Sequence, residues 1–413
     1  MSHEQQSLVS TTRLLVSTAE GLGRANAGLI LAAVLAEGSI ARAELADRVG
    51  LTRATVTRVV SRLIEMGLLL EGSPRRDSPG RPMVPLSLAG ENRAVVSVHF
   101  GANEFRVGLV DLRGRVLDES RERYVSDDPA RIVEMVSQRV RAAQTGKSAS
   151  LKILGVGASI GGWVSSDPGE VVRFDPLGWR QVPLVELLTR ALKLPVHLDQ
   201  VVRGLALAES MFGSARGLDD FIEVWVGNVV GVAIVQGGVV QSGTTGASGM
   251  MAHFPTRNDS GPLCDCGRMD CLEKSINDLS VVDAARAAGI IDDHADVRDV
   301  VQLADRGDEF ARRLLSDKGA IAGEAAAAVA NIIDPAGCVV AGVSTTAHVF
   351  LESFIAAFSA RALRSDGLIV RASAFGDLAP TIASASVLLD AYYRDPLGFE
   401  RLPARSKGQL SAP

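Results

Sequence analysis

Residues 52–67 constrain the fold of this chain more than any other segment. Apolar residues recur there at intervals of three and four, which places them in one stripe along an amphipathic helix: Val56, Val59, Val60 and Leu63. Thr52 suits the N-cap of that helix, and Gly67 suits its end. The segment therefore predicts a helix that packs one face against a core and leaves the opposite face in solvent.

The flanking segments complete a winged helix-turn-helix. Shorter helices are predicted over 24–36 and 42–49, and Gly50-Leu51 forms the turn into the third helix. After the third helix, 68–70 and 83–88 are predicted to be strands. The loop between these strands is rich in Gly, Ser, Pro and Arg, which is typical of a wing.

The solvent face of the third helix carries polar and basic side chains near its N-terminus. On a helical wheel this face holds Ala54, Thr57, Arg58, Ser61 and Arg62, with Arg53 and Thr55 beside it near the N-terminus. A recognition helix places its N-terminal side chains against base edges in the major groove, where Arg bonds guanine and Thr accommodates several bases. We expect Arg53, Thr55, Thr57 and Arg58 to contact duplex DNA. The alternative is a merely solvated face of a helical hairpin, which the following wing disfavours.

The predicted wing carries a second candidate contact. Arg81 lies between Gly80 and Pro82, and an Arg held in this way can enter a narrow minor groove, where the negative potential is enhanced. An Arg in a loop is more often simply solvated. Because the recognition helix lies beside it in the sequence, we include Arg81 among the DNA contacts.

The distribution of charge agrees with a DNA-binding head. The net charge of −5 argues weakly against a nucleic-acid-binding protein when the chain is taken as a whole. Residues 1–90, however, hold ten Arg against eight Asp or Glu, about +2, which leaves about −7 for the remainder. A basic head on an acidic body is expected when only one domain contacts DNA.

Beyond residue 90, strand-like and helix-like segments alternate. A hairpin is predicted over 95–110 and a pair of strands over 222–241, and long helices over 308–333, 345–363 and 380–394. Two such α/β lobes predict an α/β chain: an N-terminal winged helix-turn-helix followed by a two-lobed, actin-like or sugar-kinase-like domain. The expected divisions are a lead-in over 1–21, the head over 22–90, the body over 91–394 and a disordered tail over 395–413.

Composition and cysteine usage limit the location and the chemistry. Hydrophobic residues make up 47% and charged residues 22%, an ordinary globular balance. We find no signal-peptide pattern and no apolar run near the start that could span a bilayer, so we expect a cytoplasmic protein without membrane contact. Four cysteines are too few for a disulfide framework, and three of them fall within 264–271, which favours a metal site. Cys338 lies alone in an apolar strand and is expected to be a core residue.

Several motifs together resemble the ROK family of repressors and sugar kinases, specifically the regulator branch that includes xylose and N-acetylglucosamine repressors. The head carries this resemblance in Ala43-Glu44-Leu45-Ala46, Gly50-Leu51-Thr52 and Gly80-Arg81-Pro82. The body carries it in residues 246–253, 264–273 and 331–335. The resemblance extends over about 22–394, and its most specific part is Cys264-Asp265-Cys266-Gly267-Arg268-Met269-Asp270-Cys271.

The resemblance implies a structural zinc ion held by four residues: His253, Cys264, Cys266 and Cys271. The chemistry agrees, because one imidazole and three thiolates form a closed tetrahedral site. The spacing from His253 to Cys264 is one residue longer than the family's usual spacing, which a surface loop can absorb. Reduced thiols without a metal are the alternative.

The features that the resemblance associates with kinase activity are missing. The first phosphate loop is replaced by 99–104, in which Glu104 would repel ATP. In the second loop, 227–233, β-branched side chains block a close approach to a nucleotide. The family's Asn-Asp pair falls on Gln200-Val201, and valine cannot act as a base. We therefore predict no catalytic residue and no ATP as cofactor.

The sugar-binding residues implied by the resemblance are also reduced. Met250 stands where the family has a sugar-binding Glu, and only His253 and Glu273 remain as candidate ligand contacts. Glu273 could equally be a carboxylate at a helix N-terminus with no ligand role. Ordinary hexoses are therefore expected to bind weakly or not at all.

These features together predict a regulator, most simply a repressor, whose body self-associates as a homodimer or tetramer. A dimer would bind a palindromic operator with half-sites one or more helical turns apart, and the body could bind a small-molecule effector. The alternative is a ROK sugar kinase with an accessory DNA-binding head. A regulator that senses some other metabolite, or none, remains a third hypothesis.

Overall fold

The computed structural model describes residues 19–74, 83–256, 262–264, 266–364 and 367–401. The head contains three helices and three short strands: α1 Ala19–Glu37, β1 Ile40–Ala41, α2 Arg42–Val49, α3 Arg53–Glu65, β2 Leu69–Glu71 and β3 Pro85–Leu88. The strands form an antiparallel sheet in the order β1-β3-β2. The predicted winged helix-turn-helix is confirmed.

Helix α3 has the predicted buried stripe: Val56, Val59, Val60 and Leu63. The Thr52 hydroxyl caps it by accepting a hydrogen bond of 3.3 Å from the Thr55 backbone N–H. Gly50 ends α2 with φ +66°, a left-handed conformation that glycine adopts without steric cost. The turn between α2 and α3 is thus fixed by local sequence.

The body begins with a first lobe built on a five-stranded sheet in the order β11-β7-β4-β5-β6. Its strands are β4 Arg93–Phe100, β5 Glu104–Asp111, β6 Val116–Arg123, β7 Lys152–Ile160 and β11 Val196–Gln200. Helices α4 Pro129–Ala143 and α5 Leu184–Leu192 accompany it, with a small sheet of β8 Trp163–Ser165, β9 Glu170–Phe174 and β10 Trp179–Val182. The meander β4-β5-β6 is antiparallel, whereas β4, β7 and β11 are parallel.

The second lobe repeats this topology. Its sheet has the order β14-β13-β12-β15-β16, again an antiparallel meander followed by two parallel strands. The strands are β12 Phe221–Val226, β13 Val230–Gln236, β14 Val239–Val240, β15 Gly337–Ala341 and β16 Ile369–Ala372. The helices of this lobe are α7 Leu272–Ile276, α8 Asp278–Ala287, α9 Val297–Asp305, α10 Glu309–Ile333 and α11 His348–Arg361.

Two helices join the lobes. Helices α6 Val201–Phe212 and α12 Ala379–Arg394 pack against each other, and residues from both form one apolar cluster that includes Leu205 and Ala383. The predicted two-lobed, actin-like fold is confirmed. No helix among the described residues is both long and apolar enough to cross a membrane.

The head packs directly on the body. Ile30 and Leu31 of α1 share one core with Leu388 and Tyr392 of α12. Arg24 of α1 forms an ion pair with Asp395, 371 positions away. The helix-turn-helix is therefore held by the C-terminal part of the chain as well as by its own wing.

Two expected boundaries differ from the structure. Helix α1 is already formed at Ala19, inside the predicted lead-in of 1–21. Residues 395–401, which the sequence assigns to a disordered tail, include a final helix, α13 Pro396–Arg401. Proline is tolerated in the first turn of a helix, and buried Leu397 gives this short helix an apolar anchor. The rest of the predicted tail lies outside the described residues.

Candidate functional site

The solvent face of α3 is exposed as predicted. Arg53, Thr57 and Arg58 are exposed, and neither guanidinium group has a hydrogen bond or ion pair with another described residue. Thr55 is half-buried, and its hydroxyl lies 2.9 Å from that of Thr52. Thr55 therefore takes part in the helix cap, while the two arginines can reach a ligand outside the chain.

The base of the wing lies beside this helix. Strands β2 and β3 pair through Leu69 and Leu88, and the Gly72 N–H donates to the Pro85 carbonyl at 2.8 Å. The predicted contact Arg81 lies outside the described residues. The structure thus fixes where the wing begins and ends.

The four predicted metal ligands come together in the second lobe. The ligand atoms of His253, Cys264, Cys266 and Cys271 all lie within 4.8 Å of one another. The Cys264 Sγ is 3.6 Å from the His253 Nδ1, and the Cys266 Sγ is 3.3 Å from the Cys271 Sγ. Ligands of a tetrahedral zinc with bonds of about 2.3 Å are separated by about 3.7 Å, so this set fits zinc.

The backbone around the cluster shapes it as a metal-binding turn. Cys264 N–H donates to the Arg268 carbonyl at 2.7 Å, and Gly267 N–H donates to the Cys264 carbonyl at 2.8 Å. The hydrogen bond from Arg268 lowers the pKa of the Cys266 thiol to about 6, so this sulfur is a thiolate at neutral pH. Burial acts in the opposite direction on Cys271 and raises its pKa. A cation would stabilise both sulfurs as thiolates.

The cleft between the lobes encloses a cavity of about 460 Å³ where the first phosphate loop would lie. Glu104 lines it and forms an ion pair with Arg106 at 3.3 Å. Arg298 of the second lobe bonds Asp377, just before α12, at 2.7 Å, and Arg121 of β6 in the first lobe pairs with the same carboxylate at 2.5 Å. Partial burial opposes ionisation of Asp377, but Arg298 and Arg121 outweigh it and lower its pKa to about 2. Paired charges thus line this cleft and link the two lobes.

Val201 stands where the resemblance implies a catalytic carboxylate. Val201 begins α6 with an apolar side chain. The neighbouring carboxylate of Asp199 accepts hydrogen bonds from Arg203 Nε at 2.7 Å, the Gln200 N–H at 2.7 Å and the Ser166 hydroxyl at 3.1 Å. Asp199 also forms an ion pair with the buried Arg203.

A second cavity, of about 290 Å³, corresponds to the sugar pocket implied by the resemblance. Both predicted ligand contacts, His253 and Glu273, line it, and so does Met250. The Glu273 carboxylate lies in the first turn of α7 and accepts the Val230 N–H at 3.0 Å. Glu273 thus lies in the first turn of α7, lines the cavity and fixes the start of β13, and its contact with a ligand stays a prediction.

Sequence reasoning missed the aromatic wall of this cavity. Trp163, Phe174 and Trp225 line it, together with the amide of Gln200. These residues come from β8, β9, β12 and β11, and only the assembled fold brings them together. The only part of this wall that the sequence singled out was Gln200, next to Val201, where the resemblance implies an Asn-Asp pair.

Comparison with known proteins agrees with this architecture. A model described as "ROK family" matches residues 95–391, and one described as "Winged helix-turn-helix DNA-binding" matches residues 25–69. A transcriptional regulator of Mycobacterium tuberculosis is 30% identical over 403 residues, covering 94% of this chain and 89% of the relative. The xylose repressor of Caldicellulosiruptor bescii is 25% identical over 389 residues, covering 88% and 96% respectively.

Solved structures show the same fold. A ROK-family transcriptional regulator, described as a homologue of the Escherichia coli Mlc protein, has a TM-score of 0.75 at 24% identity and covers 90% of this chain and 97% of its own. A ROK glucokinase from Streptomyces griseus has a TM-score of 0.63 at 24% identity and covers 71% and 98%. The ROK model matches well over half of the chain. This chain belongs to the ROK family, with a winged helix-turn-helix DNA-binding domain preceding its ROK domain.

Proposed function

We propose that this chain is a transcriptional regulator, acting as a repressor, which binds duplex DNA through α3 and the wing. The observation that carries the proposal is the exposed face of α3, on which Arg53 and Arg58 have no partner among the described residues. The relatives support it, because one is named a transcriptional regulator and another a xylose repressor.

The proposed contacts divide into base readout and positioning. Arg53, Thr57 and Arg58 would face base edges in the major groove. Thr55 has its hydroxyl bonded to Thr52, so it would contribute through its methyl group. Arg81 would enter the adjacent minor groove.

The body is proposed to supply self-association and effector binding. A homodimer or tetramer of this chain would present two heads to a palindromic operator. A small molecule bound between the lobes would change how the heads are held, because α12 packs both on the first lobe and on α1. The site of action would be the cytoplasm.

DNA binding is tested by Arg58→Ala, with Arg190→Ala on the body surface as the matched control. Loss of a base contact costs about 1–3 kcal/mol of specific binding free energy, so the variant should bind about five- to hundredfold more weakly. Gel-shift titration on duplexes selected by the wild-type protein measures this. Arg190 is an exposed residue of α5, paired with Glu186, and its variant should bind as wild type does. Equal affinity of Arg58→Ala and wild type would remove Arg58 from the interface.

A structural zinc ion is part of the proposal. His253, Cys264, Cys266 and Cys271 would hold it, and the closed set of four ligands leaves no position for a substrate. When bound, zinc would keep the thiols deprotonated and stabilise the wall of the second cavity, to which His253 and Cys264 both belong.

The second candidate function is a sugar kinase, because a glucokinase shares the fold. We propose instead that the chain has no kinase activity, since Val201 replaces the base and Glu104 lines the site of the first phosphate loop. Loss of general-base help alone typically costs about 10²–10⁴-fold in rate. A coupled assay with ATP and a panel of hexoses should give no turnover above a protein-free blank. Turnover that persists in repurified protein would favour the kinase.

A further inference from the structure

Three arginines of the body bind main-chain carbonyl oxygens of the head. They lie at the start of β4, in the turn between β5 and β6, and in the turn after α6: Arg93, Arg113 and Arg216. Their acceptors are the two carbonyls just beyond α3, the carbonyl of the last residue of β3 and one in the last turn of α1. Each arginine therefore holds the C-terminal end of a different element of the head.

Arg93 makes the most extensive of these attachments. It is 5% exposed, and its Nη2 donates to the Met66 carbonyl at 2.5 Å while its Nη1 donates to the Gly67 carbonyl at 2.9 Å. The planar fork of a guanidinium group fixes the direction of such bonds as well as their length. A cation at the C-terminal end of a helix also interacts favourably with the helix dipole. The end of α3 is therefore held against β4 in one orientation.

The carbonyls that Arg93 binds are not those that close the turns of α3. Gly67 N–H donates to the Ile64 carbonyl and Leu68 N–H donates to the Leu63 carbonyl, each at 2.8 Å, so the helix ends on hydrogen bonds of its own. The bonds from Arg93 therefore join a finished helix to the body, and they do not form part of the helix.

The other two arginines come from different sides of the body. Arg113 belongs to the first lobe, whereas Arg216 lies in a turn attached to β16 of the second lobe. In that turn Ser214 Oγ donates to the Ala372 carbonyl at 2.9 Å, and Arg371 Nη1 donates to the Ser214 carbonyl at 2.6 Å. The head is thus tied to both lobes through its main chain.

We propose that Arg93 is a positioning residue for DNA recognition, which sets the direction of α3 relative to the body with the support of Arg113 and Arg216. Arg93 is buried at the end of α3 opposite to Arg53, so it acts through the helix and not by contact with DNA. In a dimer, this attachment makes both α3 helices face one operator. The consequence for DNA rests on the proposed function, whereas the attachment of the head does not.

Arg93→Met removes the guanidinium group and keeps an unbranched apolar side chain. The matched control is Arg286→Met, because Arg286 also donates to main-chain carbonyls but does so within the second lobe, at Asp292, Asp293 and Ala295. Both variants lose bonds from a guanidinium group to carbonyls, and only Arg93→Met loses bonds between the head and the body.

The direction of α3 is measured on the full chain by double electron–electron resonance. Nitroxide labels are introduced through noncanonical amino acids at two exposed positions, Ala54 of α3 and Glu134 of α4 in the first lobe. The distribution of distances between the labels should be narrow in wild type and in Arg286→Met. It should be clearly broader in Arg93→Met, because α3 then takes several directions.

Gel shifts on two duplexes measure the effect on DNA binding. One is an operator with two half-sites selected by the wild-type protein, and the other keeps a single half-site. If about one tenth of the variant dimers keep the productive arrangement, Arg93→Met should bind the complete operator about tenfold more weakly. It should bind the single half-site as wild type does, since one head can turn to meet it.

The proposal is overturned by a broad distribution in wild type, by a wild-type distribution in folded Arg93→Met, or by equal broadening in Arg286→Met. Equal loss of binding to both duplexes would also overturn it, because Arg93 would then act on the fold of the head. If Arg93→Met does not fold, Arg93→Lys, which keeps a cation but not the planar fork, serves in the same comparisons. Wild-type protein that binds no duplex specifically would refute the regulator, and the distance distributions would still decide the role of Arg93.

Discussion

Glu223 lies in the middle strand of the second lobe with both carboxylate oxygens buried and without a hydrogen-bond partner among the described residues. Burial, and to a smaller extent the nearby Glu209, raises the pKa of Glu223 well above its ordinary value. The same environment raises the pKa of Cys338, the core cysteine predicted from the sequence. A carboxyl group in this position is stable only with its proton.

Protonation of Glu223 makes the stability of the native state depend on pH. An unfolded chain releases this proton near pH 4.5, whereas the native state retains it to a higher pH. The stability contribution is therefore complete below pH 4.5 and declines as pH rises towards the native pKa, by up to about 1.4 kcal/mol per pH unit. Glu223→Gln has no such proton and should lose less stability over this range.

Urea unfolding of wild type and Glu223→Gln between about pH 5 and pH 8 measures the difference. The gap between the two free energies of unfolding should widen in favour of the variant as pH rises. Glu186→Gln, at an exposed position of α5, should follow wild type. Parallel curves for wild type and Glu223→Gln would mean that Glu223 is ionised in the native state.

The described part of the turn that carries the metal ligands has little regular secondary structure. Its described part includes a short 3-10 turn at Met251–His253, one isolated bridge between Pro255 and Cys271, and the five-residue helix α7. Backbone hydrogen bonds such as Thr256 N–H to the Asp270 carbonyl hold this turn only locally, so we expect a bound metal to add much of its stability. The energy of metal binding is then coupled to the folding of this turn.

Cys266→Ser should lower both the zinc content and the melting temperature. Zinc is measured by elemental analysis of protein purified without added metal, and wild type should hold one ion per chain. Cys338→Ala removes a thiol from the core, so it should lower the melting temperature but retain zinc. Wild-type protein without zinc would refute the site.

The sequence predicted those elements whose signals are local. Helix α3 followed from its apolar period and its cap, and the four metal ligands followed from their motif. The strands β8, β9 and β10 were missed because each has only three to five residues and Gly and Pro lie between them. Helix α5 was missed although Leu184 and Leu188 lie at helical spacing. Helix α13 was missed because 395–413 is polar and contains proline, a composition that predicts a disordered tail, although proline also begins helices.

At the scale of the whole molecule, the head shares one apolar core with α12 of the body. No sequence pattern predicted this, because the contact joins segments 371 positions apart and periodicity reports only on neighbours. For the same reason the sequence did not predict the cavity beside Gln200, because its wall is built from four separate strands. Contacts between segments so far apart cannot be predicted from the periodicity of a single sequence.

Gly28 on α1 tests how closely the head and body must pack. A Cβ added there would lie 2.9 Å from the Tyr393 carbonyl oxygen and closer still to that of Arg394, so Gly28→Ala must push α1 away from α12. Overpacking typically costs about 1–3 kcal/mol. Gly23→Ala on the same helix meets nothing within 4 Å and should stabilise α1 by up to about 1 kcal/mol. Thermal unfolding of both variants gives the comparison, and a stabilised Gly28→Ala would contradict the packing.

The ion pair between Arg24 and Asp395 also sets an order of events during synthesis. At about 5–20 residues per second, a ribosome needs about 20–70 seconds to add the 371 positions between these partners. Throughout that interval Ile30 and Leu31 have no α12 to cover them, and they offer an apolar surface to chaperones and to neighbouring nascent chains. The head, although synthesised first, can therefore reach its final packing only after α12 has been made. A chain that terminates before Ala379 would leave α1 without the α12 residues that cover it.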